Sequence, residues 1–335
     1  MKPFLSLLAL ASLMACHQPA TTNTAAVAEP AVAGLPSWAE SPARQRIIGF
    51  VESAKDTASP GYIPVADRIA VFDNDGCLWG EQPFYFQLAY AMDACKAMAP
   101  KHSEWKNKEP FKSLLAGDIS KVLHSGERGL LALVAASHAG MTGEAFNNQV
   151  KAWIDTARHP ITGKRYTEMV YQPMLELLQY MRANGFTTYI VSGGGIDFLR
   201  AWAEDVYGIP PAQVVGSSLK AKFEVVNGKP EITKLSESNF IDDGPGKPVG
   251  IYQHIGKRPV FAAGNSDGDY EMLQYTAANS AYSAMCLLIH HDDEIREYKY
   301  DSLSSIGRLK RGIADAAKMG WQVVSMKNDW KTIYK

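Results

Sequence analysis

Short apolar runs that break off abruptly into polar residues organise this chain. The first is Arg68-Ile69-Ala70-Val71-Phe72, which ends in Asp73-Asn74-Asp75-Gly76. Phe186-Thr187-Thr188-Tyr189-Ile190-Val191 ends in Ser192-Gly193-Gly194-Gly195, and Pro259-Val260-Phe261-Ala262-Ala263-Gly264 ends in Asn265-Ser266-Asp267-Gly268-Asp269. Two more runs follow, at 285–289 and 321–325. Runs of this length without alternation read as strands of a parallel sheet covered on both faces. Between them lie helical periods: 173–184, closed by Gly185, and 304–319. Strands alternating with helices predict an α/β fold built on a doubly wound parallel sheet. The stretch 81–165 differs, with helical periods at 85–92 and 129–134, a capped helix start within 140–146 running to 157, and scarce strand signals. It reads as a helical insertion. Residues 223–232 read as a hairpin turning on Asn227-Gly228.

Ligands of open α/β sheets collect at the carboxyl ends of the strands, where the polar residues fall. Asp73 and Asp75, one residue apart on a turn, repel each other unless a cation or phosphate chemistry uses them. Taken alone, Asp-x-Asp-Gly also suits a solvated turn or the start of a calcium loop. The twelfth position from Asp73 is Phe84 rather than Glu, which disfavours calcium. Ser192 with bare glycine N–H groups at a helix start suits an anion, although Gly193 to Gly195 alone would be an ordinary tight turn. Lys247 alone would be a surface lysine.

Taken together, Asp-x-Asp, Ser, Lys and an acidic strand end, in that order, resemble the haloacid dehalogenase-like (HAD) superfamily. The resemblance implies a HAD-like core over 37–80 and 166–335, with a helical cap, 81–165, inserted after the first motif. It implies catalytic roles for four residues. Asp73 attacks phosphorus, Asp75 is the general acid and base, Ser192 binds the transferring phosphoryl and Lys247 neutralises it. Asn74, Gly193 and Gly194 would contact the substrate. Mg²⁺ would be held by Asp73, Asp75 through its main-chain carbonyl, Asn265 and Asp269. One departure stands out: the family usually places Asp where this chain has Asn265, and Asp267 is an alternative ligand. Haloacid dehalogenases lack the second acid and ion-pumping ATPases carry Thr there. Asp75 therefore implies a phosphatase, a phosphomonoester hydrolase working through an aspartyl-phosphate. A phosphotransferase or mutase, or a non-catalytic binding lipoprotein on the same fold, are the alternatives. The hairpin at 223–232 resembles the phosphoserine phosphatase branch.

The amino end sets the expected location. Residues 4–14 are apolar but too short for an ordinary membrane helix. They lead into Leu13-Met14-Ala15-Cys16, which resembles the bacterial lipoprotein cleavage box. Residues 1–16 would be a lipoprotein signal peptide, Cys16 the lipidation site, and the Ala/Thr/Pro-rich stretch 17–36 a flexible tether. His17 rather than Asp after the cysteine favours the periplasmic face of the outer membrane over the inner. The expected partners are a small phosphorylated substrate and, through the lipid anchor, the membrane. A formal net charge of −1 offers no footprint for nucleic acid. Cys77, Cys95 and Cys286 are too few for a disulfide scaffold. A Cys95–Cys286 bridge or, the favoured reading, buried free thiols remain. Further candidates are Trp79 and Phe84 as pocket walls, His290-His291-Asp292-Asp293 at a strand end, and the basic group Arg158, His159, Lys164 and Arg165. Neither the phosphomonoester nor the oligomeric state is written in the sequence.

Overall fold

In chain order the helices are α1 (Pro42–Lys55), α2 (Phe86–Met98), α3 (Phe111–Leu115), α4 (Ile119–Leu123), α5 (Gly126–His138), α6 (Gly143–Ile154), α7 (Gln172–Ala183), α8 (Ile196–Arg200), α9 (Ala203–Tyr207), α10 (Gly246–His254), α11 (Tyr270–Ala277), α12 (Arg311–Met319) and α13 (Met326–Asp329). The strands are β1 (Ile69–Phe72), β2 (Thr187–Gly195), β3 (Val214–Val226), β4 (Lys229–Phe240), β5 (Phe261–Gly264), β6 (Met285–His290) and β7 (Gln322–Ser325). These come from a computed structural model that describes residues 34–335. The expected signal peptide, Cys16 and residues 17–33 of the expected tether lie outside the described residues, and Leu35, near the end of that tether, is instead fully buried in the core.

The seven strands form one sheet in the order β4-β3-β2-β1-β5-β6-β7, parallel throughout except for β4, which returns antiparallel beside β3. Chain order runs outward in both directions from β1. The switch point of this doubly wound sheet is therefore the carboxyl end of β1, where a crevice opens. Alternation along the pleat divides the core in two. Ala70 and Phe72 face a cluster with α1 and α7, through residues such as Ile47 and Leu177. Ile69 and Val71 face Ile251 of α10, Leu273 of α11 and Ala316 of α12. A third cluster, with Leu88, Met92, Trp105, Phe111 and Leu133, lies within the helical insertion. Each unit of secondary structure thus buries one face against another, as layered packing requires.

Three elements depart from the sequence reading. The hairpin is far longer than 223–232: β3 and β4 have 13 and 12 residues, and only the buried start of β3 pairs with β2. Asn227 (φ 51°) and Gly228 (φ 79°) make the tight turn at the tip. The distal strands are mostly exposed and alternate charged with apolar residues, so no core period marked their length. The helix expected from 304 begins only at Arg311, because Gly307 takes φ +63° and Asp267 Oδ1 accepts from the N–H groups of Lys310 and Gly312. The glycines after Ser192 are not a tight turn. They extend β2 through an irregular register to Gly195, which caps α8. Among the described residues, no helix is long and apolar enough to cross a membrane. Cys77, Cys95 and Cys286 are buried free thiols.

Candidate active site

Asp73 directly follows β1, its N–H donating to the Ala263 carbonyl of β5 at 2.9 Å. The chain then turns tightly on Asn74. Its carbonyl accepts from the N–H groups of Cys77, Leu78 and Trp79, while Gly76, at φ +76°, closes back onto the Trp79 carbonyl. Lys247, near the start of α10, is 2% exposed and reaches across three strand ends. Its Nζ donates to Asp73 Oδ1 at 2.7 Å, Asp269 Oδ1 at 2.5 Å and the Val191 carbonyl at 3.0 Å. Burial alone would lower the Lys247 ammonium, but the carboxylates of Asp269 and Asp73 outweigh it and hold the group charged. Burial, together with the nearby Asp269 charge, pushes Asp73 upward against the pull of Lys247. One ammonium is thus shared by two buried carboxyl groups, Asp73 and Asp269, with the partly buried Asp75 nearby.

Asp75 sits differently. Its Oδ1 accepts from the indole N–H of Trp79 at 2.7 Å, and more weakly from Asn74 Nδ2 at 3.4 Å. Burial raises its pKa to about 6, with the Trp79 bond and Lys247 restraining the rise. Trp79 is not a pocket wall. It is fully buried and stacked on Trp202 with ring centroids 4.2 Å apart. Asn74, expected at the substrate, turns its side chain inward, where Oδ1 accepts from the Tyr207 hydroxyl at 3.1 Å. Ser192 is buried at the same edge, its Oγ accepting from Gly194 N–H at 3.1 Å. Gly193 and Gly194 border this edge. Gly195 N–H is already taken by Gln87 Oε1, at 2.7 Å, from the first helix of the insertion. A side chain at Gly194 would meet Gln87, Ser192 Oγ and Asp75 Oδ2, so these three groups converge on one space.

Asn265 and Asp269 divide their work. Asp269 Oδ1 is bound to Lys247, and its Oδ2 accepts from the N–H groups of Asn265 (2.9 Å) and Ser266 (3.0 Å). Both oxygens of this expected ligand have protein partners, so Asp269 stands behind the loop and Lys247. Asp267 is turned away toward the start of α12, which accounts for it without a metal. Asn265 Nδ2 donates to Glu81 Oε1 at 2.9 Å, while its Oδ1 is buried with no protein partner. An orphaned buried oxygen is costly unless something else binds it. Among the described residues, no three His, Cys, Asp or Glu side chains form a metal-ligating group by themselves. The oxygens of Asp73, the Asp75 carbonyl and Asn265 nevertheless match the donors that Mg²⁺ accepts.

The remaining candidates serve the scaffold. His291 is buried and donates through Nε2 to the Gly76 carbonyl at 2.8 Å, with its ring stacked on Tyr300. His290 only borders Asp292. Arg158 and Arg165 face each other across a small turn, where Arg158 donates to the Gly163 carbonyl and Arg165 pairs with Glu168. His159 bonds the Gln82 carbonyl at 2.7 Å, and Lys164 lies over the Tyr334 ring. Sequence reasoning missed Glu81 and Gln87. Neither lies in a motif, and their partners are 184 and 108 residues away.

Comparison with known proteins identifies a family. A sequence model described as haloacid dehalogenase-like hydrolase matches residues 70–274, more than half of the chain. No curated protein matches it. Among solved structures, the chain is similar to a protein of unknown function from Bordetella pertussis Tohama I, with 13% identity and a TM-score of 0.49 over 77% of this chain and 97% of that one. It is also similar to a phosphoserine phosphohydrolase-like protein from Francisella tularensis subsp. tularensis SCHU S4, at 16% identity and a TM-score of 0.35, covering 76% and 99% of the two chains. A third is cytosolic 5′-nucleotidase IIIB bound to cytidine, at 11% identity and a TM-score of 0.41, covering 84% and 85%. With its match running from β1 into α11, and so over Asp73, Asp75, Ser192, Lys247, Asn265 and Asp269, the chain belongs to the haloacid dehalogenase-like hydrolases.

Proposed function

We propose that the chain is a Mg²⁺-dependent phosphatase, hydrolysing a small phosphomonoester through an aspartyl-phosphate. The observation that carries this reading is the second carboxyl group. Asp75 is partly buried beside Asp73, has one oxygen held by Trp79, and has its pKa pushed up to about 6, so it can give and take a proton near neutrality. In the first step an Asp73 carboxylate oxygen attacks phosphorus. The ester P–O bond breaks, and the leaving alkoxide takes the proton from Asp75. In the second, Asp75 removes a proton from water, the water oxygen attacks phosphorus, and the bond to Asp73 breaks to free phosphate and restore the carboxylate. Lys247 offsets charge on Asp73 and the phosphoryl oxygens, and Ser192 with the N–H groups beside it orients them. Asp73, the Asp75 carbonyl and Asn265 would hold Mg²⁺, which would supply further charge neutralisation. Within the family, the β3–β4 hairpin favours the phosphoserine phosphatase-like branch.

The place of action follows from the amino end: a lipoprotein acylated at Cys16 and held at the periplasmic face of the outer membrane. The function is tested on a chain starting at Gly34, which keeps the buried Leu35, assayed with Mg²⁺ over a panel of phosphomonoesters. Asp73→Asn should reduce turnover to background with an unchanged circular dichroism spectrum. Substantial turnover by this variant would remove Asp73 as the nucleophile.

A further inference from the structure

An amide differs from a carboxylate in having unlike ends. Its oxygen accepts and its nitrogen only donates, so a hard cation can use one end alone. Asn265 therefore serves a metal only if its side chain is kept from flipping. We propose that Glu81 is the positioning residue that does this. It holds the Asn265 nitrogen and so commits Oδ1 to the cation, which lets this chain use Asn where its family usually has Asp. The inference rests on the Mg²⁺ site described above and adds a residue to it.

Glu81 is 2% exposed, and its Oε1 accepts from Asn265 Nδ2 at 2.9 Å and from the Tyr300 hydroxyl at 2.6 Å. Burial and the neighbouring acids raise the Glu81 carboxyl well above its usual range, yet Oε1 already accepts from the Tyr300 hydroxyl and acts as an acceptor in both bonds, so the amide end that faces it is the nitrogen. The opposite end is the buried oxygen with no protein partner. Two glycines make room for the pair. A Cβ at Gly76 would lie 2.1 Å from Asn265 Nδ2 and 2.3 Å from Glu81 Oε1, and one at Gly307 would lie 2.0 Å from the same Oε1. Both glycines have positive φ, 76° and 63°, so each position excludes a side chain by space and by backbone conformation. Tyr300 is itself stacked on His291, whose Nε2 holds the Gly76 carbonyl. Glu81 is thus boxed in from the nucleophile loop on one side and the segment before α12 on the other. A residue that merely filled space would not need its carboxyl oxygen placed between two donors.

The test is calorimetric titration of the purified protein with MgCl₂, with folding followed separately by circular dichroism. Glu81→Met should weaken Mg²⁺ binding about 10- to 100-fold, the usual range for a group that orients a ligand. Tyr300→Phe, a milder change that keeps the ring, should weaken it less. In an Asn265→Asp background either carboxylate oxygen can face the cation, so orientation no longer matters. There, Glu81→Met and Tyr300→Phe should cause no such loss. Wild-type affinity in Glu81→Met, an equal loss in both backgrounds, or no Mg²⁺ binding by the wild-type protein would each overturn the proposal. Turnover of phosphomonoesters on the same samples separates the two readings. A wild-type protein that binds Mg²⁺ with this pattern yet hydrolyses none of them would remove the phosphatase and leave the role of Glu81 standing.

Discussion

At the scale of single residues, the two acids of the first motif are given different characters by their neighbours. Asp73 shares a buried ammonium with Asp269 and is placed to attack. Asp75 has no such ion pair and instead has one oxygen pinned by the Trp79 indole. That bond fixes the carboxyl plane and leaves Oδ2 on the side where Ser192 and Gln87 converge. Trp79→Phe retains the aromatic packing on Trp202 but removes the donor. Hydrogen bonds to charged groups contribute about 1.5–3 kcal/mol, and 1.36 kcal/mol is tenfold in rate. We therefore expect kcat to fall about tenfold or more for alkyl phosphates, whose leaving group needs the Asp75 proton, and less for p-nitrophenyl phosphate. Equal losses on the two substrates would show that Trp79 does not act through the acid. Lys247 was legible only from motif order, since nothing local tells a lysine at a helix start that two carboxylates await it.

At the scale of elements, the helical insertion carries its own titrating group. His138 ends α5, is 3% exposed, and stacks on Phe146 of α6 with ring centroids 4.1 Å apart. Its Nδ1–H donates to the Val134 carbonyl at 2.6 Å, and Lys234 and Asp197 are its nearest charged neighbours. Burial lowers its pKa to about 4, against an ordinary value of 6.5. The unfolded chain therefore binds the proton first as pH falls, so the folded state loses stability between about pH 6.5 and about pH 4. The loss reaches about 3 kcal/mol at the lower end, at 1.36 kcal/mol per unit. His138→Phe keeps a ring and cannot titrate. Urea midpoints measured at pH 7 and pH 5 should drop for the wild type and drop less for the variant, and parallel drops would exclude His138 as the source. Helices α2, α5 and α6 of the insertion were readable from their period and from a capped start within 140–146, whereas α3 and α4, at five residues each, are too short to show one. The reach of the hairpin was not. Its pairing of Thr233 with Thr142, and of the Lys234 N–H with the Met141 carbonyl, joins segments about ninety residues apart.

At the scale of the whole molecule, the carboxyl end closes the structure beneath the nucleophile loop. Trp330 is 2% exposed, bridges through its backbone to Trp38, and lies 5.4 Å from the Tyr171 ring. The Arg296 guanidinium gathers the carbonyls of Met326, Lys327, Trp330 and Lys331, tying this segment to the loop after β6. Tyr334 then reaches the space beside Gly80 and donates to Glu297. Trp330→Ala would open a cavity against Trp38 and Tyr171, and large-to-small changes of this kind cost about 3–5 kcal/mol. A clearly lower urea midpoint is expected, and an unchanged one would mean that this end does not belong to the core.

The amino-acid sequence by itself determined what depends on neighbours along the chain: the buried strands, the polar residues at their ends, the helical character of 86–154, and the Asn227-Gly228 turn. These follow from periodicity and backbone preference, which need no partner. From them came the α/β class and the motif order that marks the family. Tertiary structure decided which of the marked residues are free to act. It turned the Asn74 side chain inward, gave Asp267 to the start of α12, engaged both oxygens of Asp269, and brought Glu81 to the amide of Asn265. Each of these depends on a partner supplied by another part of the fold or on the way a loop closes. A hydrogen bond between residues 184 positions apart leaves no periodic mark in the sequence.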